Sequence, residues 1–251
     1  MRAAFASPVA DKVEPLFVKS LTETLGLLHA RGHEADWRFV SSSVLHESRN
    51  TLARDQLRSG ADILVQADAD QTFDAECLVN AIECVAAGHA DVLGFPITVR
   101  RPGAKEKFAS PALIDEADPG YVGRPRLPFR AFRYEGVRYV EVAHVSGIVV
   151  FSRRCVEQLS ADAERAEDGS PILWDFGGRN AQGARVGEDM YFSQRWRAAG
   201  GRIFCNFAAK VGHVGKFSFG SDYAGWLTPR LEAIGLRFDV RDDPPHADAA
   251  E

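Results

Sequence analysis

The sequence lacks the features that mark several broad classes of protein. Its four cysteines include no CxxC pair, so neither a zinc knuckle nor a disulfide framework is predicted. No apolar run is long enough to span a bilayer and no signal peptide is evident, which favours a cytoplasmic location. Positive charge is not in excess either. The formal net charge of −5 argues against general affinity for nucleic acid or for anionic membranes.

Chain length and the rhythm of apolar segments indicate one α/β domain. With 251 residues, of which 45% are hydrophobic, the chain can bury a sizeable core. Short apolar strands alternate with helical patterns as far as residue 97. This alternation predicts a mostly parallel central sheet with helices on both faces. We expect a single domain over residues 1–240, followed by a disordered tail over residues 241–251, which are rich in Asp, Pro and Ala.

Two carboxylates follow a strand that is predicted at residues 63–65. Asp68 and Asp70 are separated only by Ala69. Such a pair is costly unless positive charge lies close to it, and a divalent cation bound with a phosphorylated ligand supplies that charge. Ligands of open α/β sheets bind at the carboxyl ends of strands. The pair therefore predicts a metal and phosphate site at a strand end, with a plain polar turn as the alternative.

Further polar features lie elsewhere in the chain. Glu188 and Asp189 open a helix predicted at residues 187–199, where the helix dipole favours ionised carboxylates. His213 comes shortly after the next predicted strand and has glycines close on both sides. Residues 124–138 are rich in arginine. They are either a loop that meets a phosphate-bearing acceptor or a solvated basic loop.

The paired acids, the acids that open a helix and the late histidine together resemble GT-A-fold glycosyltransferases, the nucleotide-sugar enzymes with a DxD motif. The resemblance covers roughly residues 1–220 and is closest to a bacterial or phage branch like glycosyltransferase family 2. Two stretches carry it, SRNTLARDQLRSGADILVQADAD and GEDMYFSQRWRAAGGRIFCNFAAKVGHVG. It implies a Rossmann-like GT-A fold and transfer of a hexosyl or pentosyl group from a nucleotide-diphosphate sugar to a hydroxyl acceptor.

The resemblance also implies a role for each acidic residue and for the histidine. Asp70 would bind the metal directly, and Asp68 would bind the ribose of the nucleotide or the metal through water. His213 would complete the metal shell, which favours Mn²⁺ over Mg²⁺ because imidazole suits softer metals. Asp189 would be the general base for the acceptor hydroxyl, and Glu188 would orient it or contact the acceptor. Helix capping is the alternative role for both acids.

Donor contacts follow from the same resemblance. Arg49 would contact the diphosphate or the base, with a salt bridge on a helix face as the alternative. Ser146 and Gly147 would line the sugar pocket, in keeping with the close approach that a glycine in a strand often marks. Lys216 would pair with the diphosphate. A UDP-sugar is the favoured donor because uridine is frequent in the superfamily. A small molecule or a glycan is favoured as acceptor over modified DNA, which phage enzymes of this kind can glycosylate.

Two other classes of protein compete with this interpretation. The run Asp68-Ala69-Asp70-Gln71-Thr72 also fits the DxDx[TV] signature of haloacid-dehalogenase-like phosphatases, with Asp68 as nucleophile and Asp70 as acid/base. Those enzymes usually carry the motif near the chain start, whereas two strand–helix units precede it here. A non-catalytic binding module is the third class. Such a module would not need to keep Asp68, Asp70, Asp189 and His213 together.

Overall fold

The computed structural model describes residues 1–10, 12–42, 44–98, 108–110, 129–179, 183, 185–214, 225, 228–229, 232 and 240–242. Its helices are α1 (Pro15–Ala30), α2 (Leu45–Ser59), α3 (Ala75–Ala86), α4 (Arg153–Ala161) and α5 (Glu188–Ala198). Its strands are β1 (Arg2–Val9), β2 (Glu34–Ser41), β3 (Ile63–Ala67), β4 (Gln71–Phe73), β5 (Val92–Gly94), β6 (Ile97–Thr98), β7 (Phe108–Ser110), β8 (Phe129–Tyr134), β9 (Val137–Glu141), β10 (Ile148–Ser152), β11 (Phe204–Cys205), β12 (Val211–His213) and β13 (Val240–Asp242). No helix in these described ranges is long and apolar enough to cross a membrane.

In the described residues, nine strands form the central sheet in the order β13-β8-β9-β11-β5-β10-β3-β1-β2. Strand β1 pairs in parallel with both β2 and β3, whereas β10 lies antiparallel between β3 and β5. Following the pairings across the sheet, only β9 and β10 run against the other strands. The predicted α/β class with a mostly parallel sheet is therefore confirmed.

Both faces of this sheet are covered by helices, as predicted. Along β3, Ile63 and Val65 belong to one buried cluster together with residues of α1 and α3. Leu64, between them, belongs to a second cluster together with residues of α2, α4 and α5. Alternate side chains of a strand point to opposite faces, so an uninterrupted apolar run is what a strand buried on both sides requires. Each such side chain contributes about 1.5–3 kcal/mol when fully buried.

A small two-stranded sheet places His213 near the carboxyl end of β3. Strand β12 pairs antiparallel with β4, and this register places His213 opposite Gln71. The amide of Val214 donates a hydrogen bond of 2.7 Å to the carbonyl oxygen of Asp70. Residues that are far apart in the sequence thus meet at the carboxyl end of β3.

Candidate functional site

The turn after β3 brings one carboxylate against one imidazole. The Nε2 atom of His213 lies 3.3 Å from the Oδ2 atom of Asp70, and both side chains are partly buried. The turn itself is closed by the amide of Gln71, which donates to the carbonyl oxygen of Asp68 at 3.1 Å. The predicted meeting of Asp70 and His213 is therefore present in the structure.

These two side chains fit a divalent cation that binds together with a phosphorylated ligand. Within the described ranges, no group of three or more His, Cys, Asp and Glu side chains could hold a metal ion by itself. Cations at phosphate-binding sites are commonly held by only one or two protein ligands, and the phosphates complete the shell. Asp70 and His213 provide such a pair, since Asp70 Oδ2 and His213 Nε2 lie 3.3 Å apart and both side chains line the same cavity.

A buried arginine links the turn after β3 to the first turn of α5. The Arg49 side chain is 1% exposed. Its Nη2 atom donates to Asp68 Oδ1 at 3.0 Å, and its Nη1 atom lies 3.2 Å from Asp189 Oδ1. The Nε atom is 3.9 Å from Glu188 Oε1, and Nη1 also donates to Gln66 Oε1 on β3 at 3.2 Å. The predicted site residues Asp68, Glu188 and Asp189 are thus gathered around one guanidinium.

Several acids of the site lie close together. In the part of the chain that the structure describes, four carboxylates, those of Asp68, Asp70, Glu188 and Asp189, lie near one arginine and one histidine. Burial raises the pKa of Asp189 to about 7; Arg49 opposes this shift, whereas Glu188 and Asp68 reinforce it. Burial likewise raises the pKa of Asp68, with Arg49 acting in the opposite direction. A bound cation or a bound proton stabilises carboxylates that are held this close to one another.

Gly147 lies against the same turn. Its carbonyl oxygen accepts a hydrogen bond from the Asp68 amide at 3.3 Å. Its φ of +73° belongs to the left-handed region that favours glycine, and a Cβ atom built there would lie 2.3 Å from Nε2 of Gln71. The Gln71 amide in turn donates to Asp68 Oδ2 at 3.5 Å. Gly147 therefore lies next to the acid pair, and the assignment of Ser146 and Gly147 to a sugar pocket stays a prediction.

We expect Gly147→Ala to destabilise the protein more than Gly60→Ala does. Both positions have positive φ, so each alanine introduces backbone strain of roughly 1–3 kcal/mol. Only at Gly147 must a buried side chain also move, because no atom lies within 4 Å of a Cβ built at Gly60. Urea unfolding of the two variants measures the difference in free energy of unfolding. Equal losses would mean that Gln71 moves aside without cost.

Residues of the cluster line one cavity, and other residues of the helices that carry Arg49 and Asp189 line a second. One, of about 380 Å³, lies at the carboxyl ends of β1 and β2 and is lined by Asp68, Asp70 and His213, together with Lys12 and Ser42. The other, of about 880 Å³, is lined by residues of α2, of the segment 162–177 and of α5. Lys12 and Ser42 were not among the predicted site residues. The loop after β1, which contains Lys12, carries no recognisable nucleotide-binding pattern.

Asn50 lines the larger cavity and was not among the predicted site residues. Its Oδ1 atom accepts hydrogen bonds from the amides of Leu173 and Trp174 at 2.8 and 2.9 Å. Its Nδ2 atom donates to the carbonyl oxygen of Trp174 at 2.9 Å. A lone asparagine in a helical pattern carries no signal for contacts with so distant a segment. Lys216 and residues 124–128 of the arginine-rich segment lie outside the described residues, as do residues 243–251 of the predicted tail.

Comparison with known proteins shows the fold. Neither a scan against protein-family models nor a search of curated proteins gives a match. Among solved structures, A197 from STIV is similar with a TM-score of 0.50 and 15% identity, over 86% of each chain. S. aureus TarS 1-349 in complex with UDP-GlcNAc has a TM-score of 0.41 and 13% identity, over 82% of this chain and 56% of TarS. The first likeness shows a shared fold and nothing of function, and the second is too distant to support any inference.

Proposed function

We propose that this protein is a metal-dependent glycosyltransferase that moves a sugar from a nucleotide-diphosphate donor to a hydroxyl acceptor. One observation carries the proposal. A partly buried carboxylate with a raised pKa, Asp189, is joined through Arg49 to an acid pair that meets a histidine at the end of a sheet strand. Sugar transfer needs a base for the acceptor and neutralisation of charge on a diphosphate leaving group, and this cluster contains residues suited to both.

The smaller cavity is the proposed donor site. It opens at the carboxyl ends of β1, β2 and β3, which is where α/β sheets bind nucleotides. Asp70 and His213 would hold Mn²⁺ or Mg²⁺ there, and the bound cation would neutralise the diphosphate as it leaves. Lys12 and Glu14, whose charged groups lie 3.1 Å apart, also line this cavity. A UDP-sugar is the first donor to test.

Asp189 is the proposed general base. Its carboxylate would take the proton of the acceptor hydroxyl as the new glycosidic bond forms to the sugar carbon. A general base works best when its pKa lies near the operating pH. The pKa of Asp189, raised to about 7, meets this condition near neutral pH. Glu188, whose hydrogen bond contributes to that raised pKa, would orient the base.

The larger cavity is the proposed acceptor site, since its walls include the helices that carry Arg49 and Asp189. Its lining includes one arginine, Arg195, and a larger number of carboxylates, namely Glu47, Asp162, Glu164, Glu167, Asp168 and Asp175. A lining of this charge repels a polyanion and accepts neutral or amine-bearing molecules. A small molecule or a glycan is therefore the better acceptor class than DNA.

A thermal-shift panel tests this function. The protein is heated with UDP, GDP, CDP and their sugars, each with and without Mn²⁺. A ligand that binds only the folded state raises the melting temperature by mass action. We expect one nucleotide to raise it strongly with Mn²⁺ and weakly without, because the cation and the diphosphate complete each other's binding site.

Other outcomes of the panel point elsewhere. A shift with phosphate analogues and Mg²⁺, but with no nucleotide, would support the phosphatase with Asp68 as nucleophile. A nucleotide-dependent shift without release of UDP, GDP or CDP from any sugar donor would support a binding module. Either result would contradict the proposed transfer reaction.

A further inference from the structure

The arginine at the centre of the site is buried more completely than the acids around it. The Arg49 side chain is 1% exposed, whereas those of Asp68 and Asp189 are 26% and 18% exposed. Arginine is among the residues that are least often fully buried, and it is buried when carboxylates satisfy it. The two Nη atoms of Arg49 donate to protein oxygens, whereas its Nε atom is buried and has no hydrogen-bond partner among the described residues.

Each edge of the guanidinium is directed at a different element. Nη2 donates to Asp68 just after β3, and Nη1 lies between Gln66 within β3 and Asp189 on α5. The Gln66 side chain also donates to the main-chain carbonyl oxygen of Arg49 at 3.4 Å. Both the side chain and the main chain of Arg49 therefore bind Gln66, which fixes α2 to β3. A planar fork can hold two carboxylates at a set separation, which the single ammonium group of a lysine cannot do.

We infer that Arg49 is a positioning residue that fixes Asp189 relative to Asp68, and that it is not a contact to the donor. The inference rests on the proposed function, in which Asp189 serves the acceptor and the acid pair serves the donor. A displacement of about 1 Å between such groups can cost roughly 100-fold in rate. Loss of the fork is therefore expected to slow the chemical step while leaving donor binding in place.

Arg49→Lys is the informative variant, because it keeps the buried positive charge and removes only the fork. Hydrolysis of UDP-glucose and UDP-N-acetylglucosamine with Mn²⁺ is measured as release of UDP, with water as the acceptor. We expect kcat to fall by about 100-fold, with KM for the donor changed by less than about 3-fold. A rise of KM by tenfold or more with unchanged kcat would make Arg49 a donor contact and overturn the inference, as would unchanged kcat and KM.

Arg154→Lys controls for the loss of a guanidinium fork at a side chain that is 62% exposed, whereas that of Arg49 is 1% exposed. Arg154, on α4, holds Asp91 by two guanidinium nitrogens at the start of β5, away from the strand ends that form the site. The same loss of a fork there is expected to leave both kcat and KM at the wild-type values. A similar fall of kcat in the control would mean that the effect of Arg49→Lys is a general loss of stability, and would overturn the inference.

Hydrogen exchange separates the inference from the proposed function. In Arg49→Lys the amides of α5, such as that of Tyr191, which donates to Gly187 O at 3.0 Å, are expected to exchange faster than in wild type. They should be unchanged in Arg154→Lys. If wild type neither binds nor turns over any nucleotide sugar, the proposed function fails, but faster exchange would still show that Arg49 holds α5. Unchanged exchange would show that it does not.

Discussion

Asp70→Ala is expected to abolish nucleotide binding that depends on a divalent cation. Among the described residues, Asp70 and His213 are the proposed cation ligands, and their Oδ2 and Nε2 atoms lie 3.3 Å apart. Removal of the carboxylate leaves one neutral imidazole, which cannot offset the charge of a cation. Wild type with a nucleotide at one hundred times its Kd should gain about 2.7 kcal/mol of stability. For a chain of this length that gain raises the melting temperature by several degrees, and the variant should show none of it.

The comparison variant for Asp70→Ala is Asp62→Ala, at the opposite end of the same strand. Asp62 accepts a hydrogen bond of 2.8 Å from the Arg2 amide and has no part in the site. It should keep the full Mn²⁺-dependent shift. Titration of Mn²⁺ alone should give little shift in any of these proteins, because two ligands hold a cation weakly until phosphates are added. Full Mn²⁺-dependent binding by Asp70→Ala would remove this residue from the metal site.

The fold was largely predictable because its signals are local. The run at Ile63, Leu64 and Val65 is apolar without alternation, as a strand covered on both faces must be. A glycine just past a helical pattern is a local end signal, and Gly60 ends α2 with a φ of +72°. The insertion of β10 between β3 and β5 was not predictable, because strand order depends on contacts between distant segments.

The site was predictable in its acids but not in what connects them. Asp68 and Asp70 could be placed at a strand end, and Asp189 at a helix start, from neighbouring residues alone. Arg49 was expected either to contact the nucleotide or to form a salt bridge on a helix face. The structure gives it a buried position among three carboxylates. Ion pairs between distant segments produce no periodic pattern in the sequence. The contacts of Asn50 with Leu173 and Trp174 are unpredictable for the same reason.

Asp189→Asn is expected to keep donor binding and to lose transfer. The amide is nearly the same size as the carboxyl group, but it can neither take a proton nor carry the charge that faces Arg49, so the proposed base is removed with little change in packing. General base catalysis typically contributes about 10²–10⁴-fold, and kcat should fall by that amount. The nucleotide-dependent thermal shift should remain, since Asp70 and His213 are untouched. Wild-type turnover in this variant would place the base on another residue.

The pH dependence gives an independent test of the same carboxylate. Because the pKa of Asp189 is raised to about 7, the base is protonated below that pH, and wild-type kcat/KM for the donor should rise as pH increases through about 7. Stability should change in the opposite direction. The folded state holds the proton more tightly than the unfolded state, whose Asp pKa is about 3.9. This proton therefore stabilises the folded state fully below about pH 3.9. The stabilisation is lost as pH rises through about 7, the pKa of Asp189 in the folded state.

Asparagine cannot ionise, so Asp189→Asn should not lose stability in this way. The melting temperature of the variant relative to wild type should therefore increase between about pH 5 and about pH 8. This comparison needs no substrate. A constant difference over that range would mean that Asp189 is already ionised at low pH. It would then be a partner of Arg49 and too weak a base for the role proposed here.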